Sequence, residues 1–148
     1  MESMHSVRKT DLARNTRQVI NAVLRGQMAV VESHGQPEVA IVDILDYHIM
    51  RAALRYHAQE PEIDAEAGLS DRDVELIPDL QGRFDRVLAH YLGGAISLGR
   101  AAELLGLSWL DLRTRFLRLD VPVRTWPEDL DKARADVEAA SAWATTRP

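Results

Sequence analysis

The chain has 148 residues, of which 46% are hydrophobic and 28% are charged, and its formal net charge at pH 7 is −5. This apolar fraction is enough to build a core and excludes a wholly disordered chain, while the absence of cysteine excludes disulfides, thiol chemistry and cysteine-based metal sites. No apolar run reaches the roughly 20 residues that span a membrane, and the first residues lack the apolar stretch of a signal peptide, so we expect a cytoplasmic protein without a membrane anchor.

Charge is distributed unevenly along the chain. Residues 1–58 carry seven basic and six acidic side chains, and residues 86–148 carry nine and eight. Residues 59–85 carry two basic and nine acidic side chains. The negative total argues against a nucleic-acid binder, but binding requires only a locally basic face, and nearly all the arginines lie in the two outer segments.

The chain begins with a predicted strand and helix. Residues 5–8 form a short extended stretch. A helix is predicted to begin at Thr10 or Asp11 and to end at Gly26, because apolar residues recur at helical spacing between them.

A hairpin and a second helix follow. The β-rich runs 28–33 and 38–43 flank a turn at His34 and Gly35. Asp46 is predicted to cap a helix that ends near residue 57. In a unit of about 55 residues, one helix on three short strands builds only a thin core, so the stability of the monomer is expected to be marginal. We therefore expect a homodimer.

Four cations cluster near the start of the first helix, and they are candidate DNA contacts. A helix N-terminus suits a phosphate, and the last two of the four are predicted to lie one turn apart on the exposed face. Doubled in a dimer, the set gives about eight cations. The candidates are Arg8, Lys9, Arg14 and Arg17.

These elements resemble the Phd/YefM (prevent-host-death) antitoxin superfamily over about residues 4–57. The resemblance rests on the order of the pieces: a short strand, a helix ending in Gly26, a hairpin with a His-Gly turn, and Asp46-Tyr47 opening a helix. It implies a domain that dimerises and binds operator DNA, followed by a carboxy-terminal part that wraps a toxin. Members often carry an arginine beside the His-Gly turn, where this chain has Ser33.

Residues 59–83 are predicted to be an acidic connector. Prolines and glycines interrupt the segment, and its apolar residues are sparse. Such a stretch either folds onto a basic partner surface or serves as a solubilising linker. Its candidate toxin-binding residues are Ile63, Leu69, Val74, Leu76, Ile77 and Leu80.

Residues 84–148 predict an all-α module. A stripe from Phe84 to Tyr91 ends at Gly93-Gly94, and Ser97 caps a short helix over 98–105. Gly106 makes a turn, and Ser108 caps a second helix, as helix-turn-helix packing requires. The candidate groove contacts on this helix are Arg113, Arg115 and Arg118. The alternative is a helix pair used only for packing or protein contact.

Residues 95–140 resemble a second family, the small helix-turn-helix antitoxins paired with PIN-domain ribonuclease toxins. The resemblance rests on residues 95–108, on Val121-Pro122-Val123, and on an acidic final helix from Pro127 to about Trp143. The predicted apolar stripe of that helix comprises Leu130, Ala133, Val137 and Ala140. This resemblance favours a PIN-type ribonuclease as the partner, while the first leaves RelE-like or Doc-like toxins open.

The sequence therefore predicts an α+β protein: a β-α-β-β-α module at 1–58, an acidic connector at 59–83 and a helix-turn-helix-like module at 84–148. We expect an antitoxin that neutralises its toxin by binding and represses its own operon at operator DNA. No nucleophile elbow, phosphate loop or metal-ligand spacing is present, so we expect no enzyme, metal or cofactor. The alternatives are a stand-alone transcriptional regulator without a toxin partner and a pure interaction adaptor.

Overall fold

The computed structural model describes residues 4–124 and 126–145, and the fold is mixed α+β. The chain divides into a first unit, Met1–Tyr47, and a second unit, His48–Pro148. The described elements are β1 (Met4–Arg8), α1 (Lys9–Arg14), α2 (Thr16–Leu24), β2 (Met28–Ser33), β3 (Gln36–Ile41), α3 (Ile44–Gln59), α4 (Asp71–Glu75), α5 (Leu80–Leu92), α6 (Leu98–Leu105), α7 (Trp109–Arg118) and α8 (Pro127–Thr145).

The first unit contains a three-stranded sheet in the order β1-β2-β3. β1 and β2 are parallel and β2 and β3 are antiparallel, with Val7 opposite Val31 and Val31 opposite Val39. The parallel pair requires the crossover that α1 and α2 supply. His34 and Gly35 both have positive φ, 52° and 74°, which is the geometry of a two-residue hairpin turn. The predicted hairpin is confirmed.

The core of the first unit is small. Val7 and Ala29 from the sheet are buried against Val19 and Val23 of α2, with Leu12 and Ile41 packed around them. β3 is exposed along most of its length. Such a core removes little apolar surface from water, as expected for a unit of fewer than 50 residues.

The single helix predicted from Thr10 or Asp11 to Gly26 is wrong, because the chain forms two helices that meet at Asn15. The backbone of Asn15 leaves the helical region, with φ −122° and ψ 33°. The hydroxyl of Thr16 donates to the carbonyl of Leu12 at 2.8 Å. Asn and Thr compete for backbone hydrogen bonds in this way and favour helix ends over interiors. The order of elements is therefore β-α-α-β-β-α.

The cap of α3 also differs from the prediction. Asp43, and not Asp46, caps the helix, because its Oδ1 accepts the amide hydrogens of Leu45 at 2.8 Å and Asp46 at 3.2 Å. The helix consequently begins at Ile44. It also crosses the division between the units, which falls after Tyr47 and not after the residue 58 that the sequence suggested.

The core of the second unit joins α5, α6 and α7. The predicted stripe of α5 is buried throughout, and it is accompanied by Leu98 of α6 and by Leu112 and Phe116 of α7. The rings of Tyr91 and Phe116 meet edge to face with centroids 5.2 Å apart. Ile49 and Ala52 of α3 are also buried.

The acidic segment 59–83 folds as part of the second unit. It contains the short helix α4 and the first residues of α5, and its side chains Leu69 and Val74 are buried. Ser70 caps α4 by accepting from the amide of Asp73 at 3.2 Å, and Asp79 caps α5 by accepting from Gly82 at 2.8 Å. These contacts are specific caps, which a solvated linker would not have.

The predicted pair of serine-capped helices with a turn at Gly106 is present in α6 and α7. Ser97 caps α6 through Arg100 and Ser108 caps α7 through Asp111, both at 3.0 Å. Gly106 lies between the helices in the left-handed region with φ 71°. Glycine reaches this conformation without the steric cost that a side chain brings, so it closes α6 and starts the turn.

The irregular segment 121–124 is anchored to α5 through Tyr91. The Tyr91 hydroxyl donates to the carbonyl of Pro122 at 2.7 Å and accepts from the amide of Arg124 at 2.9 Å. The Arg124 guanidinium lies over the Tyr91 ring and donates to the Tyr91 carbonyl. This anchor positions the chain that leads into α8.

Candidate nucleic-acid and protein interfaces

The first two predicted DNA contacts are already paired within the first unit. Arg8 Nε lies 3.0 Å from Asp11 Oδ2, and Lys9 Nζ lies 2.5 Å from Glu38 Oε2. Both cations remain largely exposed. Exposed pairs of this kind are weak, about 0–1 kcal/mol, so a phosphate can displace the carboxylates at small cost.

Arg14 and Arg17 are exposed but belong to different helices, so the prediction that they lie one turn apart on a single helix is wrong. Neither has a carboxylate partner within the described residues. The same holds for Arg25, which was not among the predicted contacts. Arg17, Asn21 and Arg25 follow one another at intervals of four along and just beyond α2, and therefore form one row. We call these residues, together with Arg14, the arginine row.

The arginine row combines charge with hydrogen-bonding groups. Guanidinium groups bind phosphates, and the exposed amides of Gln18 and Asn21 offer both donors and acceptors to base edges. The spacing of Arg17 and Arg25 is a signal that the sequence already contained. Because α2 ends at Leu24, this spacing makes Arg25 a further candidate DNA contact.

The three arginines of α7 do not share one face. Arg115 has a side chain only 12% exposed and is paired with Asp111, Nε to Oδ1 at 3.1 Å. Arg113 lies over the ring of Trp109, with its guanidinium carbon 5.8 Å from the centroid. Arg118 is half-buried. The outward residues of α7 include Leu110 and Leu117, which are about half exposed. The exposed surface of α7 therefore includes two apolar side chains, whereas Arg115 is withdrawn into an ion pair.

The six apolar residues predicted to bind toxin separate into three groups. Leu69 and Val74 are buried in the second unit, and Ile63 and Ile77 are half-buried. Leu76 and Leu80 remain exposed, at 70% and 47%. Ile63 packs against the backbone of Gly93. A Cβ added at Gly93 would lie 2.8 Å from the Cβ of Ile63. Leu76 and Leu80 are therefore the two of the six whose side chains are largely exposed.

An apolar stripe on α8 faces solvent. Leu130 and Val137 are 59% and 60% exposed, and Ala140 is exposed with them. The side chain of Ala133, the remaining member of the predicted stripe, lies outside the described part. Helices normally turn such a stripe toward the core, so its outward orientation on α8 marks a candidate protein contact.

A cleft of about 750 Å³ lies in the second unit beside α3 and α5. One wall carries a polar chain in which Gln81 accepts from His48 Nδ1 at 2.6 Å and donates to Asp85 at 2.9 Å. Asp85 also pairs with Arg55 at 3.3 Å. These side chains are hydrogen-bond and ion-pair partners of one another, and together they hold α3 against α5.

One carboxyl in the acidic segment has a shifted pKa. Hydrogen bonds from the hydroxyl and then the backbone of Ser70 lower the pKa of Asp73 below its ordinary value of 3.8. The carboxylate and the hydroxyl thus form a capping box at the start of α4. The shift belongs to helix capping.

Neither a membrane-spanning helix nor a metal site is found within residues 4–124 and 126–145. No helix in these ranges is long and apolar enough to cross a membrane. Within the same residues, no group of three His, Asp or Glu side chains has the arrangement of a metal site.

Comparison with known proteins gave no match: no family profile, curated protein or solved structure is similar to the chain at a significant level.

Proposed function

We propose that the chain is the antitoxin of a type II toxin–antitoxin system, a dimeric cytoplasmic protein that binds operator DNA through its first unit and a ribonuclease toxin through its second. The observation that carries the proposal is the division of surfaces between the units. The first presents the arginine row, and the second presents the outward stripe of α8 and the exposed leucines of α7.

The resemblance to Phd/YefM antitoxins supports the role of the first unit. Its described elements follow the order that the resemblance implies, with one helix more, and the turn falls on His34 and Gly35. Apolar side chains of this small unit remain more than half exposed, among them Met4, Leu24 and Val39. Their burial in a homodimer would add the core that the unit lacks. Sedimentation equilibrium should give twice the mass of the chain.

The DNA-binding part of the proposal predicts a salt-dependent complex with the DNA upstream of the gene. Arg14→Ala and Arg17→Ala should each weaken binding, and each should lower the slope of log K against log salt by about 1 if the arginine neutralises one phosphate. Electrophoretic retardation or anisotropy at several salt concentrations measures this slope.

Arg55→Ala is the matched control for these variants, because it removes an exposed arginine of the second unit that is paired with Asp85. An unchanged slope in both first-unit variants would remove the arginine row from the interface.

The toxin-binding part of the proposal predicts rescue of growth. The neighbouring open reading frame, expressed from an inducible promoter, should kill the host, and co-expression of this chain should relieve the killing. Leu130→Asp with Val137→Asp should abolish relief, because charges on the stripe oppose its burial in a partner. Leu76→Asp, also at an exposed leucine, tests whether the acidic segment contributes. Relief that survives the stripe variants would exclude α8 from the toxin contact.

A stand-alone transcriptional regulator is the second candidate. The capped helix–turn–helix geometry of α6 and α7 favours it, because that geometry is a DNA-binding motif. A harmless neighbouring gene, together with retained DNA binding, would select this function. Absence of DNA retardation at low salt would instead leave an interaction adaptor.

A further inference from the structure

Two carboxylates of α8 occupy the N-terminal ends of α6 and α7. Asp129 Oδ1 accepts from the amide of Gly99 in the first turn of α6 at 2.6 Å. Asp136 Oδ2 accepts from the amide of Leu110 in the first turn of α7 at 3.2 Å. Asp129 is fully buried and also accepts from the amide of Trp126 at 2.9 Å. The last helix is thus held on the helix pair by hydrogen bonds to both helix starts.

These amides are the groups that a helix-turn-helix offers to DNA. The start of the second helix enters the major groove, and free amides at helix N-termini bind phosphate oxygens. α8 places a carboxylate at both positions. Its sequence carries five acidic and two basic side chains, so it repels a phosphate backbone as well. A phosphate group and these carboxylates would therefore compete for the same two amides.

α8 leaves part of the space beside the α6–α7 pair unfilled. A solvent-open groove of about 190 Å³ lies between α6 and α8, and its lining includes Leu107 of the turn, Trp109 of α7 and Ala135 of α8. The indole N–H of Trp109 is buried there without a hydrogen-bond partner among the described residues. Leu130 and Val137 face away from this space. The described contacts of α8 with the helix pair include the two hydrogen bonds from Asp129 and Asp136, which a competing anion can replace.

We propose that α8 is an autoinhibitory clasp: while it is docked through Asp129 and Asp136, the α6–α7 pair cannot bind DNA, and its release opens a second DNA-binding surface. The proposal rests on the second candidate function, in which the α6–α7 pair binds DNA. Asp136 is the residue to test, since it is only half-buried, whereas Asp129 is fully buried and its replacement would also disturb the fold.

The test uses the full chain carrying Arg14→Ala and Arg17→Ala, so that binding by the first unit is weakened. The probe is a fluorescein-labelled duplex of about 20 base pairs of mixed sequence at low salt, followed by anisotropy. Adding Asp136→Ala should tighten binding at least about threefold, because it removes a charge-assisted hydrogen bond that holds the clasp. The control is Glu138→Ala, which removes the same charge from an exposed position of α8.

The outcomes separate the clasp from general electrostatics. Equal tightening by Asp136→Ala and Glu138→Ala, or none by either, would overturn the clasp. The amide resonance of Leu110 gives a second readout, since it should shift in Asp136→Asn, which keeps the size of the side chain. An unshifted resonance would also overturn it.

The same titration, repeated with DNA from upstream of the gene, keeps the two proposals apart. If the unmodified chain binds the upstream DNA and Asp136→Ala changes nothing, the clasp fails and the DNA-binding part of the proposed function stands. If neither the unmodified chain nor any variant binds, both fail.

Discussion

Single residues decide how the second unit holds its irregular segments. Tyr91 is the clearest case, because its ring lies in the core while its hydroxyl bonds both Pro122 and Arg124. A buried hydroxyl that both donates and accepts fixes the path of a segment that has no regular hydrogen bonds of its own. The sequence showed Tyr91 as one member of an apolar stripe. Nothing in that spacing indicated which residues its hydroxyl would meet.

Tyr91→Phe should lower the free energy of unfolding by about 1–3 kcal/mol, because the Pro122 carbonyl and the Arg124 amide lose their shared partner while the ring remains. Urea denaturation followed by circular dichroism measures the loss. Tyr56→Phe is the control, since Tyr56 is half-buried and its hydroxyl forms no hydrogen bond with the described residues. A Tyr91→Phe midpoint equal to that of the control would contradict the anchoring role.

At the scale of elements, the sequence predicted well wherever one local rule dominated. The α5 stripe, the caps Ser97 and Ser108 and the turn at Gly106 each depend on neighbours within a few residues, and each is confirmed. The break at Asn15 was missed because Asn and Thr lower helix propensity only slightly, and a competing hydrogen bond decided the outcome. The outward stripe of α8 was missed because periodicity marks a face but not the direction in which it points.

The acidic segment shows the same limit. Its composition is typical of a linker, yet Leu69 and Val74 supply two buried anchors around the capped helix α4. Two apolar side chains are too few to register as a periodic pattern. Their effect depends on the surface of α5 and α6 that receives them. Tertiary packing, which a local pattern does not encode, therefore ordered this segment.

Leu69→Ala should destabilise the second unit by about 2–3 kcal/mol, because it removes buried apolar surface and leaves a cavity. Leu76→Ala, on the same segment but 70% exposed, should change stability by less than about 0.5 kcal/mol. Chemical denaturation of the two variants side by side provides the comparison. Similar, negligible effects would mean that the segment is not anchored, and the linker interpretation would return.

At the scale of the whole molecule, α3 decides where the chain can be divided. The sequence places a boundary after residue 58, at the end of the predicted helix, because composition changes there. The structure places the division after Tyr47, inside the helix. The part of α3 that follows belongs to the second unit through Ile49 and Ala52, which are buried, and through the bonds between His48 and Gln81. A shift in composition shows where the chain becomes more exposed to solvent. It does not show where a helix changes the elements that it packs against.

This division predicts the behaviour of fragments. Residues 43–148 retain all of α3 and its Asp43 cap, whereas residues 59–148 lack Ile49 and Ala52 of the core. The shorter fragment should be less stable by about 3 kcal/mol or more, since truncation of one buried Ile alone costs about 2–5 kcal/mol. Thermal or urea unfolding of both fragments provides the measurement, and equal midpoints would show that α3 contributes nothing to the second unit. If the shorter fragment is destabilised as expected, a failure to neutralise toxin could come from impaired folding or from lost toxin contacts. The fragment to assay for growth rescue is therefore 43–148.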